Sequence, residues 1–446
     1  MTASSIGIIS SELTNIGYTN GYLPNFFPNT RNLTNRFWNL DTSNLYFQST
    51  DLDSLISSQL ASSTTQSITN QGFGELCNLT SFNHYFDGFN YFKCFLKSLL
   101  NHDYKIATHL LYYAELRWLK SLLTSQGIIN FNRLYLVSTN SGFKNISSCL
   151  HGSSHQKSWD LFSAWSQLSC SDTLLSNTFS YHSIPYDNWL RAGCAPSSAH
   201  VLTTWVSSLE PKLQFLNDKD FRNQVSYRAH EDFSMFEDPN LSLSIKFILD
   251  DIHQILSIEE NTDLFEFLDS EIFFMSVFSQ FSHIVDENQR DSAINSFFQV
   301  ACQNLGKSPE LAQQLSQKAL DSDNLFYKLR SLVSITDLNS IKHMFYRAIL
   351  LMRIACSSLR INISKSTKDL SDFRGWFRSK LTNSPWIDAD SESEILNYSI
   401  ELEDFKSEEN ILSSALPNSL WQLSPNNYSK LLKLSDLEIA ASWSFS

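Results

Sequence analysis

One stretch decides the fold of this chain: Ala107-Thr-His-Leu-Leu-Tyr-Tyr-Ala-Glu-Leu-Arg-Trp-Leu-Lys-Ser-Leu-Leu-Thr-Ser-Gln-Gly127. Its apolar residues recur at steps of four and three, which places them on one helix face; they are Ala107, Leu111, Ala114, Trp118 and Leu122. A second face carries ionisable and aromatic residues at similar spacing, namely His109, Tyr113, Arg117 and Lys120. Gly127 stands where helices commonly end in a left-handed glycine. The pattern predicts an amphipathic helix over 103–126.

The composition favours a soluble, mostly helical protein. Of the 446 residues, 42% are hydrophobic and 13% aromatic, and there are only 12 Gly and 10 Pro. This content is enough for a buried core and suits long helices better than a turn-rich β-sandwich. The sequence has neither a signal-peptide pattern nor an apolar run long enough to cross a bilayer. We therefore expect a cytoplasmic protein without a membrane partner.

The net charge and the cysteine content argue against several classes of function and site. The net charge is −13 and the isoelectric point is near 5.3. Such a protein is not a free-standing electrostatic binder of nucleic acid, because that affinity comes from neutralising phosphates. The net charge does not exclude contact with nucleic acid inside a larger complex. The seven cysteines are scattered and include no Cys-x-x-Cys pair, so neither a disulfide framework nor a structural zinc site is expected.

Composition and periodicity divide the chain into four parts. Residues 1–82 are rich in Ser, Thr and Asn and are predicted to form an irregular arm that lies over a helical body. Residues 83–240 are predicted to be a helical domain with a loop-rich end, and residues 241–383 a helical core domain. Residues 384–446 form an acidic C-terminal region. The predicted fold class is mostly α: a multi-helix body with an irregular N-terminal arm and few short strands.

Further elements are predicted inside these parts. Helices are expected at 85–100, 154–168, 241–258, 263–285 and 337–359, and a short strand at 130–137. The sequence Ser308-Pro309-Glu310 is typical of a capped helix start with proline at its first position. The last of these helices has a single apolar stripe, formed by Met344, Ala348, Leu351, Ala355 and Leu359.

No complete catalytic or cofactor motif is present. The chain lacks the nucleophile elbow Gly-x-Ser-x-Gly, the phosphate-binding loop of nucleotide hydrolases and the dinucleotide motif Gly-x-Gly-x-x-Gly. Cys149, His151 and His155 are close in sequence and resemble part of a metal site or a thiol–imidazole pair. Their loop-like context favours packing and capping roles instead. We expect no catalytic residue, no metal and no cofactor.

A basic face is predicted on the helix near 340–360. Lys342, Tyr346, Arg353 and Arg360 lie close together on it, apart from the apolar stripe. A face of cations and aromatic rings is suited to following a nucleic-acid backbone. The alternative is that these arginines pair with the many carboxylates of an acidic protein, and we favour that alternative.

A ribonuclease of the small helical HEPN type is a second functional hypothesis. Such enzymes place an arginine and a histidine on one helix so that both face a phosphate. Here Arg222 and His230 are the nearest equivalents. Their eight-residue separation turns through about 800°, so the two side chains diverge by roughly 80° on a straight helix. The segment therefore resembles the motif but misses its geometry.

Three segments together resemble the middle, accessory subunits of bacterial three-gene anti-phage systems. They are Tyr-Tyr-Ala-Glu-Leu-Arg-Trp-Leu-Lys within 112–132, Gly-Ser-Ser-His-Gln-Lys-Ser-Trp-Asp within 152–165, and His-Met-Phe-Tyr-Arg-Ala-Ile-Leu-Leu-Met-Arg within 343–356. These systems are built around an ABC-type ATPase with SMC- or Rad50-like coiled coils, and Lamassu-type operons are the best-known example. The match covers about a quarter of the chain.

The resemblance implies a non-catalytic subunit that bridges or regulates two partners. An SMC/Rad50-like ATPase subunit would supply nucleotide chemistry, and an effector nuclease subunit would damage phage or plasmid DNA. DNA would be reached through the complex. No catalytic residues are carried over from this family.

Two sets of residues are candidates for structural or partner contacts. Tyr113 and Arg117, together with His155 and Trp159 on a nearby helix, are predicted to form a buried polar junction. Glu115 points to another side of its helix, and Arg133 is a candidate partner for it. Arg222, Asn223 and Tyr227 are predicted to support a partner-facing loop. For every one of these residues, internal hydrogen bonding is the alternative role.

Overall fold

The computed structural model describes residues 3–19, 70–100, 103–131, 134–140, 142–193, 265–281, 283–321 and 338–365. Within these ranges the chain forms ten α-helices and few short strands, and 76% of it is helical. The predicted mostly-α class is confirmed. The helices are α1 (Ala3–Asn15), α2 (Asn70–Leu100), α3 (Tyr104–Ser125), α4 (Ser154–Trp165), α5 (Ser169–Thr178), α6 (Tyr186–Ala192), α7 (Glu266–Gln280), α8 (Glu287–Asn304), α9 (Pro309–Leu320) and α10 (Leu338–Lys365).

Helices α2 and α3 form an antiparallel hairpin at the centre of the fold. Asp103 caps α3, since its carboxylate accepts a hydrogen bond from the amide of Ile106 at 3.1 Å. Gly127 follows the C-terminus with φ +81°, as its position predicted. The predicted helix over 103–126 is confirmed to within a residue at either end.

Helix α2 is longer than its sequence pattern predicted. We expected a helix from 85, but it begins at Asn70, so the boundary placed between 82 and 83 falls inside it. The first half has weak helical periodicity because Asn, Gly and Phe are frequent there. Phe73, Leu76 and Phe82 are nevertheless buried in that half. Tertiary packing therefore stabilises helix where local propensity is modest.

The N-terminal arm also differs from its predicted irregular form. Residues Ala3–Asn15 form helix α1, which buries Ile9 and Leu13 against the body. The hydroxyl of Ser10 donates to the carbonyl of Ala164 at 3.2 Å, which ties α1 to the end of α4. Within the predicted arm, residues Ala3–Asn15 therefore pack on the helical body as a helix. Residues 20–69 lie outside the described part.

A small antiparallel sheet follows α3. Its strands are β1 (Ile128–Phe131), β2 (Leu134–Thr139) and β3 (Gly142–Asn145), in the order β1-β2-β3. The single strand predicted at 130–137 is therefore two strands of a hairpin. The sheet covers the start of α2, where the rings of Phe73 and Phe143 stack with centroids 4.8 Å apart. A second pair, β4 (Ser180–Tyr181) and β5 (Ile184–Pro185), precedes α6.

Helix α10 is largely buried and packs along α3. All five residues of its predicted apolar stripe are buried. At its end, Asn362 donates to the carbonyl of Ser125 at 2.9 Å, and the hydroxyl of Ser358 lies 2.5 Å from that of Ser125. These contacts satisfy polar groups at the C-terminus of α3, where backbone carbonyls lack helical partners.

The remaining helices complete the main hydrophobic cluster, and a smaller cluster lies between the start of α2 and the sheet. Aromatic residues from α6, α7 and α8 converge in the main cluster, and the ring centroids of Tyr186 and Phe273 are 4.8 Å apart. Helix α9 begins as predicted, with Ser308 as its cap and Pro309 at its first position. Helix α7 lies within the predicted 263–285 segment. The predicted helix at 241–258 and the acidic region at 384–446 lie outside the described residues.

A glycine in α2 allows the closest approach of the central hairpin. Gly88 is buried beside Trp118, whose indole nitrogen donates to the carbonyl of Tyr85 at 3.2 Å. A Cβ atom on Gly88 would lie 2.6 Å from Cδ1 of that indole, well inside van der Waals contact.

We therefore expect Gly88→Ala to lower the free energy of unfolding by about 1–3 kcal/mol, because the indole has to move within a packed core. The matched control is Gly7→Ala in α1, where a Cβ would have no atom within 4 Å. That control should leave stability unchanged or raise it by up to about 1 kcal/mol through helix propensity. Urea unfolding of both variants measures the difference, and equal effects would contradict the packing argument.

Candidate functional site

The three segments that carry the family resemblance meet at Arg347. This arginine of α10 is only 2% exposed, and its Nε donates to a carboxylate oxygen of Glu115 on α3, which is fully buried. Its guanidinium carbon also lies 5.7 Å from the centre of the Trp159 ring on α4. Ion pairing and a cation–π contact thus join one helix from each segment.

The predicted polar junction is only partly present. The Tyr112 hydroxyl, not that of Tyr113, hydrogen-bonds Nδ1 of His155 at 2.7 Å. Tyr113 packs edge-on to the His155 ring with centroids 6.0 Å apart. Trp159 is buried against Arg347 instead of joining Tyr113. Arg117 pairs with His84 and Asp87 of α2 instead, so the four predicted residues do not form one hydrogen-bonded cluster.

Arg133, the predicted candidate partner of Glu115, lies outside the described residues. Within the described part of the chain Glu115 pairs with Arg347, which lies 232 positions along the chain. The helix-wheel argument correctly turned Glu115 away from Tyr113. It could not identify the partner, because α10 supplies it from a distant part of the sequence.

The predicted nucleic-acid face on α10 is not an exposed face. Tyr346 is fully buried and Arg353 is 3% exposed. Arg353 makes two hydrogen bonds to the carboxylate of Asp269 on α7, at 2.6 and 2.7 Å, and lies 4.7 Å over the Phe265 ring. The alternative of pairing with carboxylates therefore holds for Arg353.

The other two residues of the predicted basic face, Arg360 and Lys342, do not make it an exposed surface. Arg360 is partly exposed on the last turns of α10. The side chain of Lys342 lies outside the described part of the chain. With Tyr346 and Arg353 buried, the described residues provide no continuous cationic and aromatic surface along α10.

A cluster of charged side chains lies instead between α2 and α3. Nη1 of Arg117 is 3.0 Å from Nδ1 of His84 and 3.2 Å from a carboxylate oxygen of Asp87. The guanidinium also lies 5.9 Å over the Tyr91 ring. Because an arginine donates, Nδ1 of His84 accepts and its proton resides on Nε2. Lys120, one turn further along α3, completes the cluster.

A small recess opens beside this cluster. It has a volume of about 10 Å³, which is room for one water molecule. Helices α2, α3 and α4 and the β1–β2 hairpin contribute its walls. Its polar lining residues are His84, Lys120, Thr124, Asn130, Tyr135 and Ser158.

Burial and neighbouring charge shift the ionisation of this cluster. Burial, with Arg117 and then Lys120 nearby, lowers the pKa of His84 to about 3. Burial and the same arginine lower the pKa of Lys120 to about 8. Burial raises the pKa of Tyr135 to about 12. Burial also raises the pKa of Asp87, although Arg117 opposes that shift. Two cations therefore lie side by side with a neutral histidine.

Several predicted residues lie outside the described part of the chain: Arg222, Asn223, Tyr227 and His230. Of the residues considered for metal binding, His151 is exposed in a loop, whereas His155 contacts Tyr112. Among the described residues, no three His, Cys, Asp or Glu side chains lie close enough to hold a metal ion. No helix in the described ranges has the length and apolar character needed to cross a membrane.

Comparison with known proteins identifies no relative: no family model, curated protein or solved structure matches this chain.

Five residues of these clusters were not predicted from the sequence as members: His84, Asp87, Tyr112, Asp269 and Arg347. One signal pointed to some of them. Charged residues inside otherwise apolar helical stretches, such as Arg347 and Arg353 within 344–356, must find buried partners, since an isolated buried charge is too costly. The same test picks out Glu115 and Asp269. For His84 and Asp87 no local signal exists, because only the α2–α3 packing brings them to Arg117.

The buried Arg347–Glu115 pair should be strongly coupled. We expect Arg347→Met to lower the free energy of unfolding by about 3–5 kcal/mol, because it leaves the Glu115 charge buried without its ion-pair partner. Adding Glu115→Leu to that variant should recover part of the loss. A double-mutant cycle by urea unfolding measures the coupling.

The control for this cycle is the exposed pair of Arg191 and Asp187, whose side chains are 71% and 25% exposed. Arg191→Ala should cost less than about 1 kcal/mol. Additive losses at Arg347 and Glu115 would contradict the account of the buried pair.

The lowered pKa of His84 predicts acid sensitivity. Its pKa is about 3 in the folded protein against 6.5 when unperturbed, so the unfolded chain takes up the proton first. The stabilising contribution is present above pH 6.5 and is lost as the pH falls towards 3, with a slope of at most about 1.4 kcal/mol per pH unit.

We therefore expect His84→Gln to flatten the fall in unfolding free energy between about pH 6.5 and pH 4, as measured by urea unfolding. His151→Gln, at an exposed loop position, serves as the control and should retain the original slope. An unchanged slope in His84→Gln would show that His84 is not the group responsible.

Proposed function

We propose that this protein is a non-catalytic accessory subunit of a bacterial defence complex against phage or plasmid DNA. In that complex it bridges or regulates an SMC/Rad50-like ATPase and an effector nuclease. DNA is contacted through the assembly and not by this acidic chain alone. Lamassu-type systems are the model for this arrangement.

One observation carries the proposal: the three segments of the resemblance pack against one another. They lie far apart in sequence, yet Arg347 contacts both Glu115 and Trp159 in the interior. When a related protein retains one segment of such a junction, it is expected to retain the other segments too, because a change in one has to be matched in the others. All three segments of the resemblance therefore contribute to one part of the interior, and this placement supports the proposal.

The disposition of charge agrees with a role as a scaffold. Arg347 and Arg353 each form a buried ion pair with a carboxylate of another helix. A subunit that holds two partners needs a rigid body, and buried ion pairs favour a single packing arrangement in some proteins. We infer that partner contacts lie on the outer faces of the subunit. Arg222 and Tyr227, which the sequence predicts to support a partner-facing loop, lie outside the described residues.

The direct test is to purify the full-length tagged chain after co-expression with its native neighbouring genes. We expect an SMC-like ATPase in stable complex with it, identified by mass spectrometry. Arg222→Ala and Tyr227→Ala should each lower the recovery of partners at least severalfold while leaving thermal stability unchanged. Arg191→Ala, on the exposed surface of α6, is the matched control and should recover partners like the native chain.

Recovery of the chain alone, when the neighbouring proteins are expressed and soluble, would contradict the proposal. The ribonuclease hypothesis gives a different result. It requires the purified chain to degrade RNA without partners, and Arg222→Ala or His230→Ala to abolish that activity. Because the two hypotheses predict different results for partner recovery and for RNA cleavage, the two experiments distinguish them.

A further inference from the structure

We propose that Lys120, Arg117 and His84 form a binding site for a phosphate group at the mouth of the recess between α2, α3 and the β1–β2 hairpin. This proposal does not depend on the accessory-subunit function, because it follows from local charge and geometry alone.

Positive charge exceeds negative charge in this cluster. Asp87 neutralises Arg117 at 3.2 Å. Lys120 forms neither an ion pair nor a hydrogen bond with any residue in the described ranges, and His84 is neutral because burial and the two cations lower its pKa to about 3. The cluster therefore carries one excess positive charge. Two partly buried cations side by side repel each other, and a bound anion relieves that repulsion.

The cluster also holds hydrogen-bond donors suited to an anion. Arg117 uses Nη1 for both of its polar contacts, and a guanidinium has further N–H groups suited to two oxygens of one anion. The ammonium of Lys120 supplies a point charge with three donors, and the neutral ring of His84 carries its proton on Nε2. These donors come from two helices that are fixed by a buried core.

The recess beside the cluster has room for part of such an anion. Its volume of about 10 Å³ admits one oxygen-sized atom, and polar groups of Asn130, Tyr135 and Ser158 line it beside Lys120. One oxygen of a tetrahedral anion fits there while the rest of the anion stays at the open mouth. A nucleic-acid backbone, a nucleotide and inorganic phosphate all present such a group.

A phosphate suits this cluster better than a single carboxylate. It carries up to two negative charges and three or four acceptor oxygens, so one group can contact Arg117 and Lys120 together. The net charge of −13 opposes long-range attraction of a polyanion. The affinity must therefore come from these short-range contacts.

The first experiment titrates the full-length protein with inorganic phosphate at low ionic strength, using calorimetry. We expect Lys120→Gln to weaken binding about tenfold, since a charge-assisted contact is lost. Lys120→Arg should retain binding because it keeps the charge. The control Lys318→Gln, at an exposed position on α9, should bind like the native chain.

The second experiment follows Lys120 itself, by carbon-13 NMR of methylated lysines. The resonance is assigned by its absence in Lys120→Gln. Saturating phosphate should raise the pKa of Lys120 from about 8 towards the ordinary lysine value of 10.5. A purely structural lysine would not respond. An unchanged pKa, together with phosphate affinity that does not depend on Lys120, would overturn the proposal.

The source of the phosphate is tested with two further probes, ATP and a single-stranded RNA of about ten nucleotides. Binding that depends on Lys120 and is tightest for the RNA assigns the site to a nucleic-acid backbone. Binding that depends on Lys120 and is tightest for ATP assigns it to a nucleotide. If no probe binds in a manner that depends on Lys120, the proposal is wrong.

Discussion

The buried ion pair between Arg347 and Glu115 is the interaction on which the rest of this fold depends. Removing two charges from water is costly, so the pair is tolerated only where its geometry and surroundings are fixed. Trp159 contributes to those surroundings by packing its ring against the guanidinium. The second pair, Arg353 with Asp269, lies about two turns further along α10 and joins it to α7. Together the two pairs set how α10 is placed between α3 and α7, because a shift along its axis would leave buried charges without partners.

The sequence predicted the elements whose signals are local. Helix α3, its Gly127 terminus, the start of α9 at Ser308 and the buried stripe of α10 all follow from spacing and capping within a few residues. What it missed depends on distant contacts. The early start of α2 and the helical form of α1 are stabilised by burial against other elements. The partners of Glu115 and Arg353 lie 232 and 84 positions away, and local periodicity carries no information about them.

At the candidate site, too, local features were predicted from the sequence and long-range contacts were not. Sequence spacing correctly placed Tyr113, Arg117 and Lys120 on one side of α3, apart from its apolar face. It did not show that α2 supplies His84 and Asp87 opposite them, nor that the hairpin closes a recess beside Lys120. The charged residues thus fall into two groups. Those in the interior pair with opposite charges and hold the helices together, whereas the α2–α3 cluster keeps an excess of positive charge at an accessible edge.

The central feature of the fold is that Arg347 couples helices from three separate segments. Native-state hydrogen exchange of the full-length Arg347→Met variant tests it most directly. We predict that amides of α3, α4 and α10 lose protection together, and by more than those of α8 and α9. Loss of protection confined to α10, with α3 and α4 as protected as in the native chain, would contradict the claim.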